Sequence, residues 1–395
     1  MFNRSFVPSV FLGTLLLSGS LVQPANAGPE EAATYLLDSF KTLGATNVEY
    51  KKLSTSGNSA TINDVVIEAP DSHGHNATLT LPVLTIEGIE EQDDGGFKSS
   101  SIAISNLVFN DPHGLTVTTG PASIGGYTVP GPDALKALLA KGLENALSEK
   151  YESFSLKNFS FTRSDLPSAI RIGEIHLEQS DFVGKYAKQS SGHLNNLVIP
   201  IAFSRNPQVK AQFQALGYNA LTLSVAYDGS WDDQTTLASI KTLSINAKDM
   251  GTVTLNGTLG GFSADLLNKL QSVTEPADVM AHIQGLTVDD LTLSFENQSV
   301  VDRVLDLQAK NAGIERDQFV QQISGVMPLL LSAIGNPEFS DKLAKAAAKF
   351  LANPTTLTAT AKPANPVPVS QLIGAGIAAP QTLPDVLNVS VEAAE

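Results

Sequence analysis

The feature that most restricts how this chain can fold is a spacing of apolar residues that recurs along it. Ile102, Ile104, Leu107 and Phe109 are separated by two, three and two positions. Phe154, Leu156, Phe159 and Phe161 repeat the spacing, as do Ile170, Ile172, Ile175 and Leu177, and Leu286, Val288, Leu291 and Leu293. Weaker copies are Ala60, Ile62, Val65 and Ile67; Leu79, Leu81, Leu84 and Ile86; and Ala238, Ile240, Leu243 and Ile245. A regular strand puts alternate residues on one face, so a three-residue step would turn the second pair outward. An extra residue at a β-bulge restores the phase and increases the local twist. The gap residues suit such a break: Asn63-Asp64, Ser105-Asn106, Lys157-Asn158, Gly173-Glu174 and Asp289-Asp290. The alternative is a strand whose halves face different layers where a sheet bends around a core. The copies have no constant separation, which disfavours a solenoid or propeller.

Helices interrupt these strands and dominate the end of the chain. Leu36, Leu37, Phe40 and Leu43 share one face of a helix expected over 29–43, with Gly44 as its stop. A leucine stripe predicts a second over 133–150, and Asn206-Pro207 caps a third that ends at Leu216-Gly217. Further helices are expected over 299–312, 315–334 and 338–352. A strand over 355–361, a proline-rich stretch, a short helix near 370–377 and a closing strand over 386–391 complete the chain. The expected class is α+β and β-rich: long, curved, bulged antiparallel sheets with packed helices and a mainly helical C-terminal segment. The expected divisions are an N-terminal helix plus β segment over 28–150, a β-rich segment over 151–296, and a helical segment over 297–395. That last segment, with its closing strands, packs on the sheet.

Residues 1–27 read as an export signal. Arg4 is the one charge before Glu30, an apolar core follows, and Ala25-Asn26-Ala27 fits a small-x-small cleavage site. Cleavage is expected after Ala27, and with no cysteine in the chain a lipid-anchored N-terminus is excluded. No later segment is long and apolar enough to span a membrane, so the mature chain is expected to be soluble, and an exported chain of this size without cysteine points to a bacterial periplasm. Charged residues make up 16%, below the roughly 25% usual for soluble domains, which argues against disorder. The net charge of −15 argues against a nucleic-acid binder, which needs a basic stripe. The lack of cysteine removes disulfide scaffolds, thiol nucleophiles and cysteine zinc sites.

From Leu216 onward the strand style has a family likeness. It is carried by Leu216-Gly217-Tyr218, the run from Leu221 to Tyr227, the pair Leu243…Ile245 and Met250…Leu255, and the stretch from Leu291 through Arg303. It continues through Phe350-Leu-Ala-Asn-Pro354 and Pro363…Pro368. These stretches resemble the periplasmic YdgA-like and, more distantly, AsmA-like envelope proteins. The resemblance implies long, strongly curved sheets forming a hydrophobic trough, and it supplies no catalytic residues.

The search for chemistry finds no enzyme signature: no G-x-S-x-G, Walker A, H-E-x-x-H or Rossmann fingerprint is present. His73-Gly74-His75 beside Asp71 is the one close histidine pair, in a Gly/Asn/Ser-rich turn. A metal there would need a further ligand from elsewhere, so the turn reads as a solvated loop, and no metal or cofactor is expected. His113, His176, His193 and His282 are isolated. The acidic turns Glu90…Gly95 and Asp228…Asp233 lack the EF-hand spacing, and hairpin turns favour the same residues. Asp302 suits the first turn of a helix, with Arg303 free to pair with a neighbouring acid. The expectation is therefore a non-enzymatic envelope protein whose apolar sheet binds lipid or another amphipathic ligand. Its lining candidates are Ile102, Ile104, Leu107, Phe109, Phe159, Phe161, Leu291 and Leu293. The alternatives are a structural or assembly factor binding an envelope protein and, third, an enzyme acting on envelope material. For Leu291 and Leu293 a second outcome is a closed core, reached across a bulge at Asp289-Asp290 with the acids projecting outward.

Overall fold

The computed structural model describes residues 28–71, 74–141, 150–271, 273 and 276–394. The segment expected to be an export signal, His73 and the end of the helix expected over 133–150 lie outside the described residues. The chain forms two compact units: Met1–Ser180 with Leu194–Phe203, and Asp181–His193 with Ser204–Glu395. The class is α+β, with a large antiparallel sheet and a helical C-terminal segment, as the sequence leads one to expect. The segment 151–296 is shared between the units.

In the first unit, β3 (Ser59–Pro70) pairs on one side with β1 (Asn47–Glu49) and β2 (Lys52–Ser56), and on the other with β4 (Asn76–Glu87). β4 passes to β6 (Phe97–Ile104) and β7 (Leu107–Asn110), these to β9 (Ala122–Val129) and β8 (Leu115–Thr119), and both of those to β10 (Ser153–Arg163). β10 then pairs with β11 (Ile170–Val183), which β12 (Tyr186–Pro200) follows in the chain. Short β5 (Glu90–Glu91) edges β6. Three partner changes fall at two-three-two gaps. β3 exchanges β2 for β1 at Asp64, β4 exchanges β6 for β7 near Pro82, and β10 exchanges β9 for β8 at Asn158.

These gaps line up across the sheet. Asn63 and Val65 face Val83 and Leu81, the Ser105 N–H donates to Val83 O (3.1 Å), and Ser105-Asn106 faces Gly120-Pro121. The Gly120 N–H donates to Lys157 O (2.8 Å), and Asn158 faces Gly173. Asp64 and Asn158 take φ of 54° and 52°. Asp and Asn tolerate this left-handed conformation better than most residues. One transverse fold line, shared by neighbouring strands, thus produces many separate copies of the spacing. The phase is restored across it: Ala60, Ile62, Val65 and Ile67 are all core residues, as are Leu79, Leu81, Leu84 and Ile86.

The helix Pro29–Thr42 closes this core with Ala33, Leu36, Leu37 and Phe40. Proline at its first position, Glu30 and Glu31 in its first turn and Lys41 in its last all suit the helix dipole. Pro132–Lys141 follows β9 and buries Leu135.

The second unit is built on β13 (Ala220–Asp232), β14 (Leu237–Ala247), β15 (Gly251–Gly260), β16 (Thr287–Asn297) and β17 (Thr356–Ala361), paired in that order. β18 (Val367–Pro368) adds to β16, and closing β19 (Val389–Ala393) adds to β17. Here the gaps are true bulges. Register shifts occur at Asp228/Gly229, between Ile240 and Leu243, and opposite Thr258/Leu259, where Asp289 is the extra residue. Gly257 faces this last bulge with φ +154°, and a Cβ on it would stand 2.2 Å from Asp290 O.

The expected C-terminal helices are Val300–Ala312, Arg316–Leu331 and Pro337–Ala352; Gly313 ends the first with φ +70°. Asn336 caps the third through Oδ1, which accepts from the Phe339 N–H (3.0 Å). Two short helices, Ala264–Gln271 and Pro276–Ile283, have no counterpart in the sequence reading. The closing strand starts later than expected. Pro384 sits in a helical turn, Leu383–Val386, and Asn388, with φ 47°, turns the chain into β19.

Candidate functional site

The pairing registers of the second unit assemble one apolar face. Val225 faces Ile245, Ile245 faces Val253, and Val253 faces Phe295; alongside, Tyr227, Leu243, Leu255 and Leu293 form a second cross-strand row. The opposite face is polar for the same reason of alternation. It carries Ser244, Thr254, Ser294 and Thr358 in a row, with Ser294 and Thr358 hydroxyls 3.1 Å apart and Asn246 Nδ2 donating to Thr252 Oγ1 (2.8 Å). A half-buried sheet normally turns its apolar face to a core. This one leaves Leu243 39%, Ile245 48%, Val253 40% and Leu293 49% exposed.

Cover is partial. The helix Pro337–Ala352 packs on β17 and β19, and Phe350 meets Phe295 edge to face, centroids 6.1 Å apart. Beyond Phe295 the strip toward β14 stays open to solvent. Past the bulges the sheet is capped differently. Trp231 stacks edge-on against Phe262 at 5.7 Å, its Nε1 donates to Ala187 O (2.7 Å), and Val288 and Val367 are buried. The open strip is thus bounded by an aromatic contact at one side and a bulge line at the other. Further apolar residues stand exposed on helices of this unit: Val326, Leu329 and Leu330, and Ile377.

The lining candidates divide between the units. Ile102, Ile104, Leu107 and Phe109 are fully packed in the core of the first unit, and Phe159 and Phe161 lie half-buried against that core. Leu291 is half-buried and Leu293 exposed, so the bulge at Asp289-Asp290 stands while the closed core around them does not. Asp289 accepts from the Thr287 hydroxyl (2.9 Å) rather than projecting freely. The signal that distinguishes Leu293 from Ile104 is absent from their spacing, which is the same in both.

Residues 244–394 fit a model described as "Uncharacterized protein". The match runs from β14 to β19 and so takes in most of the exposed face, though less than half of the chain. No curated protein matches the sequence.

Other nominated residues have structural duties. Asp94 accepts from the Gly96 N–H (2.9 Å) and the Gly131 N–H (3.0 Å), tying its turn to the end of β9. Asp232 accepts from the Gln234 and Thr235 N–H groups (3.0 and 2.8 Å), and the Thr235 bonds hold its carboxyl below the usual range. Asp302 occupies a first helical turn as expected. Partial burial pushes its pKa up, but hydrogen bonds from Arg316 (2.6 Å) and Asn297 (2.7 Å) outweigh this and hold it low. Arg303 donates to Leu216 O (2.8 Å) and stacks over Tyr218 at 4.4 Å. Burial, then Asp94, raises the Tyr35 phenol, whose hydroxyl donates to Pro130 O (2.6 Å).

Proposed function

We propose that this is an exported, non-enzymatic protein of the bacterial envelope that holds an acyl chain, or a similar amphipathic ligand, on the open apolar face of its second unit. The observation that carries this is the cross-strand strip Leu243, Ile245, Val253 and Leu293, each about two-fifths or more exposed on one continuous face. Contiguous exposed apolar patches mark binding surfaces more often than single exposed residues do. The width of the strip spans three strands, roughly 10 Å across at the usual strand spacing, which accommodates a hydrocarbon chain. No helix among the described residues is long and apolar enough to cross a membrane, so a lipid would be met from the aqueous side. The resemblance to YdgA-like and AsmA-like proteins implies the same kind of trough, and the signal-like N-terminus supplies the compartment.

A second reading, an assembly factor docking an envelope protein, draws on the exposed Leu329, Leu330 and Ile377 of the C-terminal helices. Native mass spectrometry of the full mature chain, purified without detergent, separates the two. Co-purified lipid that is lost on Ile245→Asp and Leu293→Asp supports the first. A clean polypeptide mass, with no binding of a fluorescent fatty-acid probe, refutes it and leaves the second.

A further inference from the structure

We infer that Asp71, His75 and His113 form a binding site for a divalent transition-metal ion, zinc foremost, in the first unit. The inference is independent of the ligand proposed for the second unit. The site arises from sheet order. β4 lies between β3 and β7, so the β3–β4 turn and the β7–β8 turn come to the same end of neighbouring strands. Each turn is fixed by an aspartate. Asp71 Oδ1 accepts from the His75 N–H (2.9 Å), and Asp111 Oδ1 accepts from the His113 and Leu115 N–H groups (2.9 and 2.7 Å). With Oδ1 engaged by backbone, Asp71 Oδ2 faces both imidazoles, 2.8 Å from His113 Nε2 and 3.7 Å from His75 Nδ1. The rings stand edge to face, centroids 5.6 Å apart, and all three donor atoms lie within 4.8 Å of one another.

Ligand atoms about 2.0–2.2 Å from a tetrahedral zinc lie roughly 3.3–3.6 Å from each other. The pair at 2.8 Å must open by about 0.5–0.8 Å and the pair at 3.7 Å close by about 0.1–0.4 Å, within the reach of rotation of the exposed imidazoles. The Asp71 side chain is only 4% exposed, so its carboxylate is held in place, whereas those of His75 and His113 are 61% and 51% exposed. The ion would therefore sit at the surface with three protein ligands and a fourth position open to water or a substrate atom, the pattern of open zinc sites. Two imidazoles and one carboxylate favour zinc, copper, nickel or iron over calcium or magnesium, which prefer oxygen ligands.

The test is calorimetric titration of the metal-stripped full mature chain with Zn2+ alone. One saturable site is expected. His75→Ala and His113→Ala should each weaken it at least as much as loss of an outer partner does, about 10–100-fold, while His282→Ala leaves it unchanged. Asp71→Asn should weaken it as the two histidine variants do, and the exposed His113 variant decides the matter should Asp71→Asn perturb the turn. Cobalt substitution should give visible absorption bands that disappear in His113→Ala. Absence of a saturable site, or binding indifferent to His75 and His113, overturns the assignment.

Discussion

Leu84→Ala and Leu293→Ala remove the same branched tip from two sheet faces that differ in their cover, and the comparison tests whether the second face is open. Leu84 is wholly buried, paired across the strands with Ile62 on one side and Ile104 on the other. Truncating a leucine so buried should cost about 2–5 kcal/mol. Leu293 is 49% exposed. Full burial of a leucine is worth about 1.5–3 kcal/mol, so the half that is buried contributes about 1 kcal/mol, and water rather than a void fills the place of the lost tip. For a unit of roughly two hundred residues, 1 kcal/mol moves Tm by about 2–4 °C. Leu84→Ala should then lower its transition by about 4–20 °C and Leu293→Ala by no more than about 4 °C. Calorimetry gives the transitions, and the fluorescence of Trp231, the one tryptophan, assigns the second unit's. Leu293→Ala should also weaken the fatty-acid probe. A loss from Leu293→Ala as large as that from Leu84→Ala, with probe binding intact, would mean that the strip is covered and the trough does not exist.

Three further outcomes are expected. Gly257→Ala, which forces a Cβ to 2.2 Å from Asp290 O at φ +154°, should destabilise the second unit by at least the 1–3 kcal/mol typical of such backbone strain; an unchanged urea midpoint would mean that the bulge relaxes freely. Asp302 is held below its ordinary pKa, so the stability it contributes is complete above about pH 4 and disappears as pH falls through the lowered folded value. Asp302→Asn should therefore narrow the gap to wild type on acidification, and a constant gap from pH 7 to pH 2 would count against the ionised Asp302–Arg316 pair. Finally, the exported chain should begin at Gly28, as N-terminal sequencing of periplasmic material would read; a membrane-retained species still carrying Met1 contradicts the export reading.

Much of the architecture was written locally. The helix over 29–42 is legible because Leu36, Leu37 and Phe40 fall on one face and Gly44 stops it, and the helices after Ser299 are legible for the same reason. The two-three-two spacing announces a break in the strand, taken by the left-handed Asp64 and Asn158 in the first unit and by bulges such as the one at Asp289 in the second. The helices at Ala264–Gln271 and Pro276–Ile283 escape this reading, being only two turns long each.

What the sequence alone determined was which residues share a strand face. What only the tertiary structure decided was what covers that face. Ile104 and Leu293 hold different places in the same repeated spacing, yet one is core and the other half in water, because burial depends on elements distant in the chain. The same holds for His113. It lies 42 residues from Asp71 and reads as isolated until β4 brings two hairpin turns side by side and sets its Nε2 2.8 Å from the carboxylate. Strand alternation is a local steric property carried by each residue's own backbone. Strand order and cover depend on long-range packing, which no window of sequence contains.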